Sequence, residues 1–125
     1  MIRHALLTAM LVLTFGGFAR AATLATAPFP GSLGTGSATC AVTNDGTKTI
    51  RVTIEMIDNI GDTVDGVPAQ TVDLLAGRTF FLPYAALDDV SPHRCRFTAA
   101  SKGKLRGSFI WVSSTSGSPV IIPAQ

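Results

Sequence analysis

The sequence predicts an all-β fold, an antiparallel sandwich of about seven or eight short strands, on three observations. Apolar and polar residues alternate in short runs, most clearly Ile50, Val52, Ile54 and Met56 against Arg51, Thr53 and Glu55. Clusters of Asn, Asp, Gly, Ser and Pro punctuate these runs at regular spacing, and no amphipathic helix of three turns is legible between them. Two cysteines, Cys40 and Cys95, fall in an early and a late strand, where a disulfide would join two facing sheets.

The first 21 of the 125 residues stand apart. Met1, Ile2, Arg3 and His4 form a short basic start, followed by an apolar run from Ala5 to Ala19. A run of about fifteen residues fits a secretory signal and falls short of the roughly twenty that cross a bilayer. Ala19 and Ala21 supply small residues at the minus three and minus one positions, so cleavage is expected after Ala21, with no membrane span thereafter. An uncleaved N-terminal anchor is the competing reading. Residues 22–36, rich in Ala, Thr, Gly, Ser and Pro, are expected to be a flexible lead-in, and 37–125 a single domain.

Within that domain a first strand is expected at Ser37 to Val42, closed by a turn at Thr43, Asn44, Asp45, Gly46 and Thr47, whose Asn, Asp and Gly suit positive φ and local hydrogen bonds. The alternating run from Ile50 to Met56 follows. Asp58, Asn59, Ile60, Gly61 and Asp62 make the next turn. Thr63, Val64 and Val67 resume an extended path that Pro68 confines to an edge or interrupts. Thr71 to Leu74 places Val72 and Leu74 inward, and Leu75, Ala76, Gly77 and Arg78 connect it to Thr79–Leu82. There Phe80 and Phe81 compete for the inward register. The stretch from Pro83 to Pro92 is expected to be irregular, with room for a helical turn at Tyr84 to Leu87.

Arg94 to Ala99 puts Cys95, Phe97 and Ala99 on one face and Arg94, Arg96 and Thr98 on the other. Ser101, Lys102 and Gly103 then turn the chain into Lys104–Ser113, which is apolar on both faces toward its end and so reads as a central or covered strand. A short strand at Val120 to Ile122 closes the domain. The architecture expected is an immunoglobulin-like β-sandwich, with a small β-barrel as the alternative.

The run Cys40, Ala41, Val42, Thr43, Asn44, Asp45 and Gly46, then Ile50, Val52 and Ile54, then Leu75, Ala76 and Gly77 before Thr79, resembles bacterial cell-adhesion-related immunoglobulin-like modules. Those modules carry an Asn-x-Gly turn, an alternating strand and a Leu-x-x-Gly turn. Through Cys95, Arg96, Phe97, Lys104, Leu105 and Arg106 the chain is also similar to small secreted bacterial proteins with an immunoglobulin-like fold. The resemblance spans residues 40–113 and implies a sandwich with an interaction or structural role at the bacterial envelope.

Loss of Arg3 and Arg20 with the signal leaves eight basic side chains against eight acidic ones, so the domain has no excess charge with which to bind nucleic acid. The charges are segregated, however. All eight acids lie in residues 40–93 with only Lys48, Arg51 and Arg78 beside them, whereas 94–125 holds five cations and no acid. If the two late strands paired as a hairpin, Arg94, Arg96, Lys102, Lys104 and Arg106 would line one cationic, candidate anion-binding face. Such a face suits an anionic envelope polymer, and the preferred reading is a solvated strand face kept charged against edge pairing.

The two cysteines of an exported chain are expected to form a structural disulfide. His93 is the sole histidine after residue 21: a metal centre needs about four ligands, and as the base of a nucleophile His93 stands beside Pro92 in an expected loop with no carboxylate partner to hold it. Asp88 and Asp89 are adjacent and so diverge in an extended loop, unlike paired glycosidase acids. Asp58, Asp62 and Asp65 miss the spacing of a calcium loop, and Trp111 reads as core more readily than as a stacking platform beside Tyr84. No metal, cofactor or enzymatic activity is expected. The function expected is a non-catalytic secreted or periplasmic interaction or structural module, its partner an anionic envelope polymer or another protein. A protein-binding inhibitor or accessory subunit using a loop or edge strand is the alternative, and a small hydrolase a residual one.

Overall fold

The computed structural model describes residues 22–28, 36–58, 60–84, 93–101, 103–114 and 117–125. The signal expected over 1–21 and the Asp88–Asp89 pair lie outside the described residues, as does Lys102. Eight strands follow in order: β1 Ala22–Ala25, β2 Gly36–Asn44, β3 Ile50–Ile57, β4 Gln70–Leu74, β5 Thr79–Tyr84, β6 Arg94–Ala99, β7 Leu105–Ser113 and β8 Pro119–Pro123. They form two antiparallel four-stranded sheets with orders β1-β6-β3-β4 and β5-β2-β7-β8, a sandwich and not a closed barrel.

The alternation read from the sequence sets what each sheet buries. Val52, Ile54 and Met56 of β3 and Cys95, Phe97 and Ala99 of β6 meet Cys40, Val42, Phe109 and Trp111 of the second sheet. These side chains fill the space of about 10 Å that separates packed sheets. The Cys40–Cys95 disulfide joins β2 to β6 through this core, with Cα atoms 5.6 Å apart and both residues fully buried. The register open at Phe80 and Phe81 is resolved by β2. Leu82 and Phe80 face Cys40 and Val42, which leaves Phe81 on the outer surface, 56% exposed.

Three expectations are corrected. Ala22–Ala25, expected within a flexible lead-in, forms β1 along β6, with Leu24 and Thr26 turned inward and buried. Thr26 continues the contact past the strand: its amide donates to the Cys95 carbonyl at 3.0 Å and its Oγ1 accepts from the Cys95 amide at 2.9 Å. Pro83 and Tyr84, expected in an irregular stretch, extend β5 beside Ala38 and Thr39. A proline is tolerated there because β5 is an edge strand and the missing donor faces away from β2.

The third correction follows from the first. β6 and β7 do not pair as a hairpin: β6 lies between β1 and β3, and β7 between β2 and β8. Because β1 occupies the edge of β6 that a hairpin would have used, the chain crosses to the other sheet after Ala99. There β7 is a central strand, as its two apolar faces predict.

Candidate interaction surfaces

Of the five cations expected on one face, the four among the described residues are dispersed by this topology. Arg94 and Arg96 project from the outer surface of the first sheet, whereas Arg106 projects from the outer surface of the second, on the opposite side of the molecule. Lys104 sits in the turn before β7. Arg96 Nε donates to Glu55 Oε2 at 2.8 Å across the β3–β6 pair, and Arg106 Nε to Asp45 Oδ2 at 2.6 Å. The hydrogen bond to Glu55 and the attraction of its charge outweigh partial burial and raise the Arg96 pKa above its ordinary value. The charge segregation along the chain is thus partly consumed within the molecule, early acids pairing with late cations.

Three further sequence candidates are placed by the structure. His93 is fully buried, its ring 6.2 Å from that of Tyr84. Trp111 lies in the core, 4% exposed. The Asp58 carboxylate serves its own loop, since its Oδ1 accepts from the amides of Ile60 at 3.0 Å and Asp62 at 2.9 Å. Among the described residues no three His, Cys, Asp or Glu side chains converge in a way that could hold a metal ion.

At one end of the sandwich the β2–β3 turn and the β6–β7 connection enclose an open groove of about 350 Å³, with Asp45, Lys48 and Lys104 among its walls. Its shape depends on Asn44, a fully buried polar residue that sequence reasoning took for an ordinary turn position. The Asn44 amide nitrogen donates to the carbonyls of Lys48 at 2.7 Å and Leu74 at 2.9 Å, and its Oδ1 accepts from the Gly46 amide at 2.9 Å. No local pattern distinguishes such an Asn from a solvated one, because the Leu74 partner is thirty positions away.

The outer faces of the two sheets differ in kind. On the first sheet Thr23, Thr98, Thr53 and Thr71 align in one row across all four strands, with Thr53 and Thr71 hydroxyls 2.9 Å apart. The Glu55–Arg96 and Arg51–Asp73 ion pairs flank that row. On the second sheet the successive rows are Pro119, Val112 and Ser37; Ile121, Ile110, Thr39 and Pro83; then Pro123, Ser108, Ala41 and Phe81. None of these side chains is charged, and Phe81 and Ile121 are more than half exposed. Arg106, in the next row beside Thr43 and Thr79, is turned to Asp45. Sequence reasoning missed this face because its residues come from four strands. The available signal was the uncharged outward parity of β7, Ser108, Ile110 and Val112.

No family model matches the chain, and no curated protein matches it. Among solved structures, the crystal structure of Thermotoga maritima 1070 is similar, with a TM-score of 0.56, covering 82% of this chain and 91% of that one at 9% identity. At that identity the likeness extends to the fold alone. Fold and surfaces together define a disulfide-linked β-sandwich with one charged, hydroxyl-rich face and one face that is uncharged over three rows and bordered by Arg106.

Proposed function

We propose that the protein is a non-catalytic interaction module of the secreted or periplasmic space, and that it engages its partner through the outer face of the β5-β2-β7-β8 sheet. The observation that carries this reading is the contrast between the faces. The first sheet is finished as a solvated surface, whereas the second leaves Phe81, Ile110 and Ile121 on an uncharged plane. Contiguous exposed apolar patches on small soluble domains mark interaction sites. The buried disulfide supports an oxidising compartment, as does the signal-like run in residues 1–21. Among the described residues no helix is long and apolar enough to cross a membrane.

Binding by strand addition to the edges of this second sheet is less well supported. β5 carries Pro83, and β8 carries Pro119 and Pro123. Ala124, of even parity, donates inward to Gly107, so the odd positions of β8 face outward and two of its three outward amides are replaced by proline. A photo-crosslinking residue placed at Phe81 or Ile121 in producing cells should yield a discrete adduct, while the same residue at Thr98 should not. Adducts confined to Thr98, or absent from all three positions, would refute the assignment of the face.

A further inference from the structure

We infer that the groove between the β2–β3 turn and the β6–β7 connection is a binding site for a carboxylated sugar unit, separate from the sheet face and independent of the role proposed for it. Charge is the first reason. Lys48 and Lys104 both line the groove and both are exposed, and neither ammonium has an ion-pair partner among the described residues. The acid in the same wall, Asp45, is engaged by Arg106, whose Nε donates to its Oδ2 at 2.6 Å. The groove is therefore left with two uncompensated cations, and a cleft lined by one sign of charge concentrates ions of the other.

The second reason is that the walls are held in place without a ligand. The Asp45 amide donates to the Lys104 carbonyl at 3.0 Å, which joins one wall to the other, and Asn44 Nδ2 donates to the Lys48 carbonyl at 2.7 Å. Gly103, with φ of +48°, passes so close to Ile50 that a Cβ there would lie 3.3 Å from Ile50 Cδ1. Ile50 thus contributes an apolar surface to the groove, in company with the hydroxyl residues Thr47, Thr49 and Ser101. A site assembled in advance spares its ligand the cost of ordering loops.

Together these groups single out the ligand class. A carboxylate answers the lysines, ring hydroxyls answer the Thr and Ser side chains, and the C–H face of a sugar ring covers Ile50, so an acidic saccharide uses all three; inorganic phosphate uses only the first. An extended peptide needs main-chain partners, and the carbonyls of Lys48 and Lys104 are already engaged. A single-stranded nucleic acid needs an aromatic platform, and among the described residues no aromatic side chain lines the groove. The volume of about 350 Å³ lies at the small end of the roughly 300–1,000 Å³ typical of ligand sites, which suits a mono- or disaccharide unit and not a long chain buried end to end.

Titration of the purified disulfide-bonded protein with digalacturonate at low salt, followed by the amide signals in NMR, tests this. Saturable shifts centred on the β2–β3 turn and the β6–β7 connection are expected, with half-saturation at about 1 mM or below. Lys48→Gln and Lys104→Gln should each weaken binding about three- to tenfold, because each removes one charge-assisted contact. Arg94→Gln, which removes a charge at the far end of β6, should leave it unchanged. Both lysines are exposed, so the variants should keep the wild-type unfolding midpoint, which separates lost binding from lost fold. No saturation by about 10 mM overturns the site, as does undiminished binding by the double lysine variant. Maltose or inorganic phosphate binding as tightly as digalacturonate overturns the ligand class. The crosslinks at positions 81 and 121 test the sheet face separately, so failure of either proposal is told apart from failure of the other.

Discussion

The amide of Gly77 donates to the carbonyl of Asn44 at 2.7 Å, so the turn between β4 and β5 is docked onto the end of β2. The Asn44 amide in return donates to the Arg78 carbonyl at 3.0 Å. Gly77 has φ of +72°, a conformation in which a side chain is strained, and it permits the turn that makes this approach. With the side-chain bonds of Asn44 to Lys48, Leu74 and Gly46, one residue ties together the β2–β3 turn, the end of β4 and the β4–β5 turn.

Asn44→Ala should therefore destabilise the fold by about 2–4 kcal/mol, since it strands buried partners as well as removing their bonds. Asn44→Asp should also be destabilising, because a carboxylate cannot donate to the Lys48 and Leu74 carbonyls. Chemical denaturation measures both. A change below about 0.5 kcal/mol for Asn44→Ala would mean that water replaces the side chain and that the knot is not structural.

The disulfide closes a separation of 55 residues, which in the chain-entropy model corresponds to about 4 kcal/mol of stability. Replacing Cys40 and Cys95 together by Ala should lower the unfolding free energy by roughly that amount, with loss of packing added. Both cysteines are fully buried, so a reductant reaches the bond only in opened molecules. Reduction should be slow in native buffer and accelerate steeply with subdenaturing urea. A rate independent of urea would point to exposed sulfurs.

How much of this was legible in the sequence follows from the range of each interaction. The strands Ile50–Ile57 and Arg94–Ala99 and their inward faces are local patterns of period two, and they were readable. So was the pairing of the two cysteines. Which strands become neighbours was not, because Ala22, Thr23, Leu24 and Ala25 carry no strong strand signal yet decide that β6 has no edge left for β7. The cationic face failed for the same reason: parity along each strand was correct, but a shared face requires a shared sheet. The face of the second sheet is assembled from positions as far apart as Ser37 and Pro123 and emerges only from the register.

Because Arg94 and Arg106 occupy opposite sides, their contributions to binding an anionic polymer should be independent. On a sulfated resin at low salt, Arg94→Glu and Arg106→Glu should each change retention slightly, and the double variant should show the sum of the two shifts. A loss in the double variant well beyond that sum would restore a single cationic site. Arg96→Ala should cost no more than about 1 kcal/mol of stability, since its pair with Glu55 is partly exposed, with side-chain accessibilities of 39% and 18%.

Gly107 offers a sharper test of how the two sheets meet. It lies opposite Val42 in the second sheet, and a methyl group added there would collide with the ring of Phe97 from the first. Its φ is not positive, so the glycine is required by the approach of the aromatic ring and not by backbone conformation. Phe97 is 1% exposed and packed within the core, which leaves it little freedom to move aside. Gly107→Ala should therefore cost about 1–3 kcal/mol by overpacking. Phe97→Leu alone should also destabilise, by opening a void. Combined, the two should cost less than the sum of the single changes, since the smaller side chain vacates the space that the methyl needs. Thermal or urea unfolding of the four proteins gives the coupling directly. Strict additivity would mean that Phe97 does not rest on Gly107 and that the two sheets meet in a different register.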